Sequence, residues 1–352
     1  MMQTALDTNK WVEKYLSRFD RVEQLFRQPE WVLAGRRTAL EQFQALGLPT
    51  LKDEDWRYTN VAPIARMAFK PALEAGPVQL EPDLVDSLWF GALSGPRLVF
   101  VDGHYRPSLS RPGELPAGVR AGSLTAALAC DGEVLRAHLG RLLGQPDNGF
   151  TALNEAFFAD GAWIWVPPDT RLEEPLCIVH VVTAAGEGMT FCPRNLIVVG
   201  ARSRVTILES YVQAGGHRYF TNALTELVAG DETFVEHLKF QDESVEAFHV
   251  AALHARLGRA CRAYVHSFAL GARLSRYNLR VCLGGEGLEA ILNGLYVTRG
   301  EQLADHHMIV EHAQPHCASH EYFNGILDDR SRGVFHGRIL VRPGAQKTDA
   351  KQ

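Results

Sequence analysis

The sequence predicts a mainly β protein, a β-helix (β-solenoid) of stacked coils with an α-helical arm at its N-terminus. Three observations carry that expectation. Similar strand pairs recur around Asn195, Asn222, His249, Asn278 and His307, a step of 27 to 29 residues. Each repeat reads as an alternating strand, a Gly-containing or acidic turn and a second alternating strand, and no convincing helix follows Pro175. Self-similarity at a fixed period marks units that stack to bury one continuous core, and strand-only units make that stack a solenoid. A β-sandwich, with turn signals every ~8–12 residues, does not account for the longer period. The N-terminal part, by contrast, is spaced as helix.

Residues 1–70 form the expected helical region. Val12, Leu16, Phe19, Val22 and Phe26 recur at steps of three and four, one apolar stripe of an amphipathic helix. Leu33, Leu40, Phe43 and Leu46 mark a second helix, with Gly47 as its stop and Pro49 beyond. Residues 71–95, rich in Pro, Gly, Ala and acidic residues, read as a connector. The β pattern opens at "PRLVFVDG" (Pro96–Gly103), so the β-helix is expected over 96–352. Helical spacing interrupts it near 123–143 and 151–159, where Thr151 is a candidate N-cap with Glu155 in the first turn. Within the coils Leu196, Val198, Leu224, Leu227, Leu279 and Val281 are expected to face the core.

The chain has 352 residues and a formal net charge of −5, which argues against a nucleic-acid partner held by phosphate contacts. Its longest apolar runs, such as "NLIVVG" (Asn195–Gly200), are too short to cross a bilayer. The N-terminus shows no apolar h-region, so no secretory signal is expected and the location expected is cytoplasmic. Six cysteines (Cys130, Cys177, Cys192, Cys261, Cys282 and Cys317) lie scattered without a CxxC, as reduced and mostly buried thiols do.

The densest cluster of chemistry-bearing residues is "HHMIVEHAQPHCASHEYFNGIL" (His306–Leu327). Strand parity puts His306, Met308, Val310 and His312 on one face, pointing inward. Beyond Pro315, an extended chain points His316 and His320 one way and Cys317 the other, which disfavours a compact Cys–His metal site. The stretch therefore reads mainly as the wall of a late coil, with iron contact as the lesser alternative. "GGEG" (Gly284–Gly287) lacks the lysine and helix of a phosphate loop and reads as a tight turn. Asp328 and Asp329 diverge as neighbours on a strand, whereas a glycosidase needs carboxyls converging on one bond, so they read as a solvated turn. No convergent acid–base or nucleophile set stands out, which leaves a polysaccharide-cleaving β-helix enzyme as an alternative without its machinery.

"PTLKDEDWRYTN" (Pro49–Asn60) combines charges with Trp56 and Tyr58, aromatics expected to anchor the arm to the body. The string resembles the E-x-W-[KR]-Y-T signature of the SufD proteins in the SufB/SufD family, carried here by Glu54, Trp56, Arg57, Tyr58 and Thr59. "LVFVDGHY" (Leu98–Tyr105), "ALNEAFFADGAWIWVP" (Ala152–Pro167), "HSFALGA" (His266–Ala272), "HCASHEYFNGIL" and "GVFHGRILVRPGAQKTDAKQ" (Gly333–Gln352) follow in family order, together spanning nearly the whole chain. The resemblance implies a right-handed β-helix behind a helical arm. It also implies a non-catalytic scaffold for iron–sulfur cluster assembly, side by side with SufB and in complex with the ATPase SufC. In that complex clusters are transient, and no cofactor is held firmly by this chain. Relatives continue beyond the KTDxxQ motif into a coil with a C-S-H-G motif and a helical pair, where the family's strongest cluster residues and its SufC contact lie. No catalytic, cofactor or metal residue is therefore transferred to this chain. Its end at Gln352, soon after the strand "RILVRP" (Arg338–Pro343), carries the expectation of self-association there and of failure to recruit SufC.

Overall fold

The computed structural model describes residues 10–352 apart from 68, 78–79, 89, 91–92, 145–147 and 216; the N-terminal residues 1–9 and parts of the connector lie outside that description. Two sheets dominate it, one of ten strands and one of nine, and successive strands of the chain alternate between them through the coils. Sheet I stacks Arg194–Val199, Phe220–Ala229, Phe248–Leu257, Leu274–Leu283, Leu303–His312 and Arg332–Val341. Sheet II stacks Leu176–Thr183, Arg204–Ala214, Phe234–Asp242, Arg262–Ala269, Glu289–Thr298 and Ala318–Leu327. All of these pairings are parallel; Phe220 lies beside Phe248, Phe248 beside Leu274, Leu274 beside Leu303 and Leu303 beside Arg332. The result is a parallel β-solenoid of about six turns in which paired residues of neighbouring coils lie 26 to 30 positions apart, close to the sequence period.

The corners between the sheets repeat as faithfully as the strands. Arg202, Glu232, Ala260, Gly287 and His316 all have φ between 52° and 70°, at the same turn of five successive coils. A left-handed residue reverses the chain within a few residues, and stacking the turns pairs their backbones: Glu232 N–H donates to Arg259 O (2.7 Å) and Ala260 N–H to Glu286 O (2.8 Å). "GGEG" is thus a corner, with Gly287 at its left-handed position. His316 occupies the equivalent place one coil on, and Asp329 (φ 55°) turns the chain at the opposite corner.

The early strands of sheet I, Arg194–Val199 and Phe220–Ala229, are buried on both faces, and this corrects the expected core. Ile197, Val199, Leu227, Leu279 and Val281 fill the space between the sheets. Leu196 and Val198 face the other way, into a helical layer, and Leu224 packs there against Leu143 and Ala252. A strand covered on both faces loses its polar–apolar alternation, so hydrophobicity alone does not assign its inner face.

That layer comprises helical residues 10–16, then Phe19–Leu25, Glu30–Leu46, Leu124–Cys130, Gly132–His138 and Gly149–Phe157. Gly47, at φ 62°, ends the long arm helix as expected. The helix of the second insertion starts two residues earlier than read: Asn148 is its cap, its side chain accepting from Phe150 N and Thr151 N (3.0 and 3.3 Å), and Thr151 lies inside. A local cap competes among several polar residues, and the one whose backbone is already extended wins. The connector also holds a short helix, Pro82–Ser87, whose Val85 packs on the outer face of the first strands of sheet II.

Candidate functional site

Buried ion pairs fasten the helical layer to the outer face of sheet I. Arg194 donates to Glu226 (2.7 Å), which also accepts from Gly140 N (2.8 Å) and Leu142 N (3.1 Å). Arg276 donates to Asp305 (2.5 Å) and lies 3.7 Å from the Trp56 ring centre, while Thr59 donates to the same carboxylate. The W-R-Y-T string is therefore a docking element: Trp56 is its anchor, with the Phe150 ring tilted against it at 5.4 Å. Tyr58 is not an anchor; it is 64% exposed.

The histidine stretch divides by strand parity. His306 and His312 point inward, where Ser267 Oγ lies 2.9 Å from His306 Nε2 and Ser319 Oγ 3.0 Å from His312 Nε2. His307 points outward, stacked on His336 at 4.6 Å and 3.5 Å from Asp55. Cys317 is buried, its thiol 3.2 Å from Gly285 O, and burial raises its pKa. His316 stands exposed at its corner, 3.8 Å from Glu286, and His320 is on the opposite face from inward-pointing Ser319. The structure does not bring Cys317 together with either histidine, and no three His, Cys, Asp or Glu side chains among the described residues converge as metal ligands. Asp328 and Asp329 lie on an exposed turn.

The interior holds a constellation that the sequence reading missed. Val235, His237, Lys239 and Gln241 point inward from one strand of sheet II, while Phe234, Leu238 and Phe240 are only partly buried on its outer side. Glu209, directly beside Lys239 in the preceding coil, accepts from Tyr211 Oη (2.6 Å) and Thr225 Oγ1 (3.0 Å) and lies 2.9 Å from His237 Nε2. Lys239 Nζ lies 2.8 Å from His249 Nε2, with the Tyr211 and Tyr277 ring centres at 5.0 and 4.9 Å. His249 Nδ1 is 2.6 Å from Glu243, whose carboxylate also accepts from Thr221 Oγ1 (2.6 Å) and Gln241 Nε2 (3.1 Å). His180 stacks on Tyr211 (4.8 Å), extending this polar seam one coil towards the N-terminus. Ser267 and His306 extend it the other way.

Burial dominates the electrostatics of the seam. It drives Lys239 down to about 8, against the pull of Glu209 and Glu243. His180 falls to about 4 and His306 to about 3, again by burial. For Glu209 burial works against the charge, but the bonds from His237 and Tyr211 outweigh it and hold the carboxyl at about 2. Both nitrogens of His180, Oε1 of Gln241, the Tyr277 hydroxyl and Nδ1 of His306 are buried without a hydrogen-bond partner in the structure. The signal for the seam lay in register: polar residues recurring at the coil period at inward parity, as in "VEHLKFQ" (Val235–Gln241).

Fold and site define a class: a parallel β-helix clamped by a helical arm, with a buried polar seam inside its coils. Comparison with known proteins gives its family. The chain belongs to the SufB/SufD family of iron–sulfur cluster assembly proteins. The SufBD core domain of the SUF system for FeS cluster assembly matches residues 180–352, and the SufBD N-terminal region matches 9–178. An iron–sulfur cluster assembly SufBD family protein of Synechocystis is 30% identical over 328 residues, covering 90% of this chain and 71% of that protein. The SufD proteins of Escherichia coli (29% identical; 89% of this chain, 70% of that one) and Bacillus subtilis (24%; 97% and 77%) are also similar. Among the described residues no helix is long and apolar enough to cross a membrane.

Proposed function

We propose that this chain is a non-catalytic scaffold of cytoplasmic iron–sulfur cluster assembly, working in a complex with a SufB-type partner and the ATPase SufC. The observation that carries this reading is the match of both the core and the N-terminal region, in that order, to the SufB/SufD family. The arrangement of the candidate residues supports it: Cys317 is buried apart from His316 and His320, and Asp328 and Asp329 face solvent on a turn. In this reading the cluster is cargo, held transiently in the complex. Anaerobic co-purification with SufB and SufC tests it, comparing this chain with a version extended past Gln352. Capture of SufB by either version is expected; failure of both to bind SufB or SufC sinks the proposal. Saturable ATP or polysaccharide hydrolysis by the isolated chain, abolished by a single substitution, would sink the non-catalytic part.

A further inference from the structure

We propose that the interior seam is a proton relay, in which Glu243 and His249 connect the buried amine of Lys239 to solvent at a corner of the coil. Glu243 and Ser244 lie buried at that corner, and Val245, the next residue, is half exposed. From there the atoms stand in line: Glu243 Oε2 is 2.6 Å from His249 Nδ1, a close approach in which Nδ1 is not aligned for a hydrogen bond, and His249 Nε2 is 2.8 Å from Lys239 Nζ. An imidazole that faces an acid on one nitrogen and a base on the other accepts a proton at the first and releases one from the second. A proton delivered to Nδ1 therefore leaves from Nε2 onto the Lys239 lone pair, and the reverse path returns it; only N–H and O–H bonds form and break.

Charge decides what travels. The ionisable groups facing Lys239 are Glu209, Tyr211, His237 and Gln241's neighbour Glu243 from sheet II and its corner, and His249, Tyr277 and His306 from sheet I. Two carboxylates, Glu209 and Glu243, stand around one lysine, a balance that repels anions and attracts protons. The unpartnered Tyr277 hydroxyl and His306 Nδ1 continue the line of hydrogen-bonding groups beyond Lys239. A depressed amine, at about 8, exchanges its proton within the physiological range.

The sequence makes the test clean. It has seven lysines, and Lys239 is the one that is buried; Lys10, Lys14, Lys52, Lys70, Lys347 and Lys351 are exposed. In the full chain labelled with 15N-lysine, a slowly exchanging ammonium signal near neutral pH belongs to Lys239. Its exchange is expected to be at least about tenfold faster than that of the Val235–Gln241 backbone amides, which report opening of the coil. His249→Phe is expected to slow it by about tenfold or more while those amides stay protected. The proposal is overturned if ammonium and strand amides exchange at one rate, or if His249→Phe leaves the ammonium rate unchanged. The wild-type comparison decides the matter even where the variant does not fold.

Discussion

Replacing Glu226 with alanine probes how the helical layer is held. The carboxylate is fully buried, receives Arg194, and accepts from the backbone of Gly140 and Leu142 just beyond the helix Gly132–His138. Removing one member of a buried pair costs about 3–5 kcal/mol, because the remaining charge stays desolvated. The two freed amides lie in the same network, so their loss is part of that figure and not an addition to it. The expected effect is a loss of about 4 kcal/mol in urea unfolding, with hydrogen exchange at Gly140 and Leu142 accelerating first. The double variant Arg194→Met with Glu226→Leu removes both charges and should recover most of the stability. A single-variant loss under about 1 kcal/mol, or protected amides at Gly140 and Leu142, would refute the fastening role.

Three further outcomes follow from the interior and its corners. Stability should fall as pH drops below 6.5, because His180 and His306 take up protons on unfolding; for His180 alone the shift to about 4 corresponds to roughly 3 kcal/mol. Glu209 adds a second loss as pH falls from 4.5 towards 2, and pH-dependent urea titrations of Glu209→Gln should lack that lower limb. Gly271→Ala should destabilise by about 2 kcal/mol by thermal melting, since its Cβ would collide with the Glu243 backbone one coil away; an unchanged melting temperature would contradict the stacked corner. With a thiol reagent, Cys130 should react in the native state, whereas Cys177, Cys192, Cys261 and Cys317 should react only on unfolding.

The sequence by itself determined the coil period, the strand–turn–strand unit, the helical arm with its stop at Gly47, and the family. Each is a local or periodic property: a turn must recur wherever the chain closes a coil, and an amphipathic stripe is visible in one helix. Parity at His306–His312 was legible for the same reason, since apolar Met308 and Val310 mark the inner face. Only the tertiary structure decided which face of "NLIVVG" and "FVEHLKFQD" turns inward. In the first, helices cover the outer side, so Leu196 and Val198 are as buried as Ile197 and Val199. In the second, the inner side carries His237, Lys239 and Gln241, and the outer side carries Phe234, Leu238 and Phe240, the reverse of a polar-out pattern. A buried lysine is tolerable only where partners brought together by the fold meet it. Glu209 comes from the preceding coil, and Glu243 and His249 reach Lys239 only because the chain turns a corner between them, which no local pattern shows.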